Sequence, residues 1–232
     1  MFHVEHRKIR MIKTVIFDFN GTLYLDQDLN RDAWAIIYEE IVGNKDNFIE
    51  KLEHILATKD STNVDEFFRS KGEIVKQEVL DNYAHKKEEI YQDLAIKQGR
   101  NKLTPGAKEL LDYLKEKDYK LILCTASIKY NVDFYLNYCG LNKWFDYNSI
   151  VYDDGINKNK YEMYKKAIKL SNCHIEDCLA FDDSYGSINN ALKAGIKKII
   201  RINHYNYQKI DSEYILAELK DFRKIDYSIF NK

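Results

Sequence analysis

Apolar residues follow two rhythms along the chain. Short runs rich in apolar residues, bounded by turn residues, occur at residues 14–17, 119–124, 149–152, 178–181 and 196–202. Runs of that length predict strands buried on both faces, as in a parallel sheet. Between them, over residues 107–117, 130–138, 161–170 and 188–194, apolar positions return at helical spacing. Strand and helix in alternation imply βαβ units, hence a parallel sheet covered by helices on both faces. One block breaks the pattern. After Leu25 and Asp26 no strand interrupts residues 31–42, 47–58, 64–71 and 73–98, and Trp34, Ile37 and Ile41 recur on one helical face. The chain's one proline, in Thr104-Pro105-Gly106, marks the return to alternation, with Thr104 expected as a helix cap and Pro105 in the first turn. The expected fold class is α/β, a parallel-sheet core of residues 11–27 and 103–232 interrupted by an all-helical domain of residues 28–102.

Composition narrows the function classes. The 232 residues are 45% hydrophobic, with 36 basic against 37 acidic side chains and a formal charge of -1. Such a balance gives no pull toward nucleic acid or an anionic membrane, and scattered tyrosines without a basic groove do not make a nucleic-acid platform. Small-molecule chemistry is the expectation. No stretch approaches the roughly 18 consecutive apolar residues of a membrane span. Four cysteines are too few for a disulfide framework, and the start, Met1 to His6, lacks the apolar core of a signal peptide. A cytoplasmic protein with reduced thiols is expected, with Met11 a natural start and residues 1–10 dispensable. Cys173, His174 and Cys178 hint at a metal, but a structural zinc site needs four convergent ligands and the sequence offers no second pair.

Candidate chemistry gathers at the ends of the predicted strands, where parallel sheets bind ligands. The run Thr14-Val15-Ile16-Phe17 stops at Asp18, followed by Phe19-Asn20-Gly21-Thr22, so a carboxylate is presented where a buried strand meets a tight turn. Thr125 follows the second strand and offers a hydroxyl, with exposed backbone N–H groups nearby, to a phosphate oxygen. Lys158 lies between a strand and a helix, where its ammonium could neutralise charge at the sheet edge. Asp182 and Asp183 are adjacent acids at another strand end. They repel unless a cation sits between them, and hard oxygen ligands suit magnesium.

In order and context these segments resemble the four motifs of the haloacid dehalogenase-like (HAD) hydrolase superfamily. Asp18 matches the nucleophile of its Asp-x-Asp-Gly-Thr motif, Thr125 the second motif's hydroxyl, Lys158 the third motif's lysine, and Asp182-Asp183 the acidic pair. The resemblance runs from Met11 through the rest of the chain and implies a Rossmann-like core with a helical cap inserted after the first motif. It further implies Mg2+ held by Asp18, the backbone carbonyl of Asn20 and Asp183, with Asp182 in the outer shell. Asn20, Gly21, Thr125, Ala126 and Lys158 would bind the transferring phosphoryl group. Prolines common beside the third-motif lysine are replaced by Asn159 and Tyr161, which leaves Lys160 as a second candidate, ranked below Lys158.

One letter departs from the pattern. Asn20 stands where family phosphatases carry an aspartate that protonates the leaving oxygen and later activates water. Its amide can do neither, and lost general acid-base help costs about a hundredfold to ten-thousandfold. The leading expectation is a magnesium-dependent phosphatase or phosphotransferase acting on a small phosphorylated metabolite through an aspartyl-phosphate on Asp18, with slow hydrolysis. Two alternatives stay open: a metal-free 2-haloacid dehalogenase, which tolerates a nonacidic residue 20 but not the acidic pair, and a phospho-ligand or partner-binding protein without turnover. For cap specificity, Arg31, Trp34, Tyr38 and Arg69 are the residues considered.

Overall fold

The computed structural model describes residues 11–156 and 159–231. Contacts divide the chain into two units, Asp26–Asn101 and the segments on either side of it.

The outer segments build one six-stranded sheet, all parallel, in the order β3-β2-β1-β4-β5-β6. Its strands are β1 (Thr14–Phe17), β2 (Lys120–Ile128), β3 (Ile150–Asp153), β4 (Cys178–Asp182), β5 (Ile199–Ile202) and β6 (Ile215–Leu219). Every residue of β1 and β4 is buried, which is why both read as unbroken apolar runs. Phe17 and Phe181 are register partners, their rings stacked at 4.8 Å and 6°. That stack fixes the spacing of the two strand ends just before the chain reaches Asp18 and Asp182. The connecting helices are α5 (Ala107–Glu116), α6 (Lys129–Tyr138), α7 (Lys160–Ser171) and α8 (Tyr185–Ala194), and α1 to α4 belong to the other unit. In α5 the buried positions Ala107, Leu110, Leu111 and Leu114 fall on one face, as the spacing predicts.

Two local readings need correction. Strand β2 runs on through Thr125 to Ile128, with an irregularity in its pairing to β3 between Cys124 and Ile128. Thr104 does not cap α5. The cap is Gly106 at φ +82°, where a Cβ would lie 2.6 Å from the backbone of Phe222 and Arg223, so no other residue fits. Thr104 instead donates its N–H to the carbonyl of Leu23 and its hydroxyl to that of Thr22, tying the returning chain to the loop after β1.

The second unit contains α1 (Gln27–Val42), α2 (Phe48–Ala57), α3 (Asp60–Ser70) and α4 (Gln77–Lys97), with no strand among its described residues. Trp34 and Tyr38 sit in its core with Ile37, Ile41, Phe67 and Leu80. Arg31 pairs with Asp32 and Arg69 with Asp65. Lys87 is buried in this unit, 3.1 Å from Glu88 and 3.7 Å from Asp60, with its ammonium over the ring of Trp34. Among the described residues no helix is long and apolar enough to cross a membrane.

Candidate active site

Asp18 leaves β1 with its backbone N–H donated to the carbonyl of Phe181, which fixes the carboxylate at the boundary between β1 and β4. The hydroxyl of Thr22 reaches its Oδ2 at 3.4 Å. Carboxylate oxygens of Asp18, Asp182 and Asp183 all lie within 4.8 Å of one another. Asp183 comes that close because residue 21 has no side chain: a Cβ on Gly21, at φ +78°, would be 2.7 Å from the Asp183 carboxyl carbon. The Gly21 N–H, expected at the phosphate, is donated to the carbonyl of Tyr24 at 2.7 Å, so what Gly21 supplies is space.

Among the described residues the ammonium at this cluster is that of Lys160. It ion-pairs with Asp18 Oδ1, donates to the Cys124 carbonyl at 2.7 Å and lies 3.8 Å from Asp182. Lys158, the residue ranked first from the sequence, lies outside the described residues. The local sequence explains how Lys160 reaches the site. Asn159 caps α7, its side chain accepting from the Glu162 N–H, and Lys160 is the first helical residue. Side chains there tilt back toward the helix N-terminus, which points Lys160 at the strand ends. A lysine in a first turn opposes the helix dipole. That mismatch was a usable signal for function.

Electrostatics follow from crowding three acids around one cation. Burial, partly offset by Lys160 and reinforced by Asp182, pushes the Asp18 carboxyl up to about 7. Burial and the charges of Asp182 and Asp18 hold Asp183 well above the ordinary carboxylate range. Burial works against the Lys160 ammonium, but Asp18 and Asp182 outweigh it and keep it protonated. The three acids thus favour either retained protons or a hard cation that takes the protons' place. Asp182 is already engaged by protein donors, taking hydrogen bonds from the Tyr164 hydroxyl at 2.5 Å, the Ser187 hydroxyl and the Ser184 N–H. Asp183 is anchored through its backbone: the buried Arg201 donates from Nε to its carbonyl at 2.9 Å and from Nη1 to Glu218 on β6 at 3.0 Å. Tyr164, Ser187 and Arg201 were not picked out from the sequence, where each reads as ordinary core or capping.

Beside the acids, Thr125 is buried with its hydroxyl 3.4 Å from Asn20 Oδ1, while Ala126, the next residue of β2, is exposed. Ser127 donates to Asn20 Oδ1 at 2.8 Å, and Asn20 Nδ2 donates to Tyr135 at 3.1 Å. Elsewhere, the sulfurs of Cys173 and Cys178 lie 3.7 Å apart, and among the described residues the acid cluster is the one grouping of three or more potential ligand side chains.

The chain belongs to the haloacid dehalogenase-like hydrolases, whose family profile matches residues 12–195. The crystal structure of a HAD hydrolase of family IA, variant 3, from Entamoeba histolytica is 25% identical, with a TM-score of 0.82 over 95% of this chain and 98% of that one. The fold also matches the β-phosphoglucomutase of Clostridium difficile, at a TM-score of 0.74, 20% identity, and 95% and 98% coverage of the two chains. In sequence, the phosphorylated carbohydrates phosphatase of Thermotoga maritima is 30% identical over 105 residues, 44% of this chain and 48% of that protein. That match spans about half of the relative's length.

Proposed function

We infer that this enzyme is a magnesium-dependent phosphatase or phosphotransferase of a small phosphorylated carbohydrate, working in the cytosol through an aspartyl-phosphate on Asp18. The observation that carries this reading is the convergence of three carboxylates and the Lys160 ammonium on one sheet edge. The substrate class is suggested by the Thermotoga relative, a phosphorylated carbohydrates phosphatase.

The donor set suits a hard divalent cation. Asp18, the backbone carbonyl of Asn20 and Asp183 would hold Mg2+, with Asp182, occupied by Tyr164 and Ser187, orienting them from behind. When bound, the metal supplies positive charge against the phosphoryl oxygens. The remaining work falls to the chain. Asp18 attacks phosphorus as the bond to the leaving oxygen breaks. In the resting protein Lys160 holds Asp18, and during transfer its ammonium offsets charge on the phosphoryl oxygens, with the Thr125 hydroxyl as a further donor. Water then releases phosphate. Asn20 gives no proton to either step, so the second is slow, or a hydroxyl acceptor replaces water.

A panel of sugar phosphates, assayed with and without magnesium, tests the assignment. Asp18→Asn should abolish turnover while circular dichroism stays native. Wild-type activity in that variant would end the nucleophile assignment. Asn20 favours one second reading, a phospho-ligand binder without turnover, and metal-dependent hydrolysis of any ester on the panel would remove it.

A further inference from the structure

Residue 20 departs from the family motif, yet its surroundings are fitted to the amide it carries. Asn20 Nδ2 donates to the Tyr135 hydroxyl at 3.1 Å, and Ser127 donates to Asn20 Oδ1 at 2.8 Å. The two hydroxyls are themselves 3.3 Å apart. All three contacts are satisfied in one circuit: amide to Tyr135, Tyr135 to Ser127, Ser127 back to the amide oxygen. Around the ring each group donates to the next, and Asn20 Oδ1 takes a second, longer contact from the Thr125 hydroxyl at 3.4 Å. A carboxylate could not close this circuit. It has no proton for Tyr135, both hydroxyls would have to turn toward it, and no proton would remain between Ser127 and Tyr135.

The frame around the circuit is rigid. Tyr135 is buried, its ring 4.1 Å from that of Phe19 and 6.5 Å from that of Tyr24, so its hydroxyl has little freedom to swing away. Ser127 is held by its own N–H, which donates to Thr125 Oγ1 at 3.1 Å. The terminal torsion of an asparagine is otherwise broad, and fixing it before substrate arrives removes an ordering cost from the reaction.

We propose that Ser127 and Tyr135 are positioning residues that hold the Asn20 amide in one orientation beside Asp18, making residue 20 a fixed neutral hydrogen-bonding group for the transferred phosphoryl or its leaving oxygen. The assignment rests on Asp18 as nucleophile. Neither positioning residue touches the phosphoryl group; both act through Asn20.

A double-mutant cycle tests this. Tyr135→Phe keeps the packed ring and removes the hydroxyl, so folding is preserved. It should lower kcat roughly threefold to tenfold, the worth of one hydrogen bond, with KM unchanged. In an Asn20→Ala background the same substitution should cost nothing further, and Ser127→Ala should likewise lower kcat in the wild-type background and cost nothing in the Asn20→Ala one. Equal losses with and without Asn20 would overturn the proposal, because the hydroxyls would then act independently of the amide. A second readout does not need turnover. The side-chain 15N–1H2 pair of Asn20, identified by its disappearance in Asn20→Ala, should shift in both Tyr135→Phe and Ser127→Ala. Unmoved resonances refute the positioning role. Shifted resonances in a protein that turns over no phosphate ester would keep the held amide but refute the Asp18 reading, and with it the phosphoryl role given to residue 20.

Discussion

Asn20 and Lys160 carry most of what is specific to this chain. Substituting Asn20→Asp supplies the missing acid-base group, and hydrolysis should rise about tenfold or more, short of the roughly hundredfold at which full general acid-base help begins. The gain is limited because Ser127 and Tyr135 would both donate to the new carboxylate and favour its charged form. Steady-state hydrolysis of the best ester on the panel measures it, and no gain would mean that another group already moves the proton. For the lysine, Lys160→Ala should reduce kcat by about a hundredfold, as loss of a transition-state charge partner does, while Lys158→Ala leaves it near wild type. The reverse pattern would restore the ranking that the sequence suggested. The sequence set Lys158 ahead because Asn159 and Tyr161 stand where the family carries prolines; what favours Lys160 is the helix start, where Asn159 caps and the next side chain pairs with Asp18.

At the scale of elements, the strands that build the site were legible because they are buried on both faces and leave no polar alternation to confuse them. Strand β6 was not seen. Its residues Ile215 to Leu219 alternate between half-buried and exposed, and Leu, Ala and Glu in succession read as helix. Only pairing with β5 makes it a strand, and that information is not local. The ends of helices failed for a related reason, since Thr104 has every property of a cap and was drawn off by carbonyls 81 and 82 positions earlier in the chain (104 − 23 and 104 − 22). The helical unit has its own pH dependence. Burial and Glu88, against the pull of Lys87, raise the Asp60 carboxyl from 3.8 to about 7. Its folded form therefore keeps a proton that the unfolded chain has released, and stability falls as pH climbs through that window and levels off above it. Asp60→Asn should flatten this part of the curve, measured as Tm between pH 4 and 8 relative to wild type; an unchanged slope would place the titration elsewhere.

For the whole molecule, the site couples to folding through the metal that the carboxylates are suited to hold. A cation that binds only the folded state stabilises it by mass action, about 2.7 kcal/mol at a hundred times Kd. Magnesium should raise Tm accordingly, and Asp183→Ala should remove most of the shift even in a sample with no substrate. A full shift in that variant would exclude Asp183 as a ligand. The overall plan, a parallel α/β core with a helical block between its first strand and the rest, was readable from periodicity alone, while the cluster's inner geometry depended on contacts such as Arg201 to Asp183 that join distant segments.

The turn after Asp18 also bears on how this protein ages. Asn-Gly is the sequence in which a backbone nitrogen most readily attacks the preceding side-chain amide, since glycine leaves the approach open. Here the nitrogen of Gly21 is engaged with the Tyr24 carbonyl, and the amide of Asn20 is clamped by Ser127 and Tyr135. Both reactants are restrained in the folded turn and released together on unfolding. Deamidation at this position is thus favoured in time spent denatured, and the change it makes, asparagine to a mixture of aspartate and isoaspartate, rewrites the residue at which the first motif departs from its family. A molecule that has unfolded and recovered would return with a different catalytic side chain from the one it was translated with.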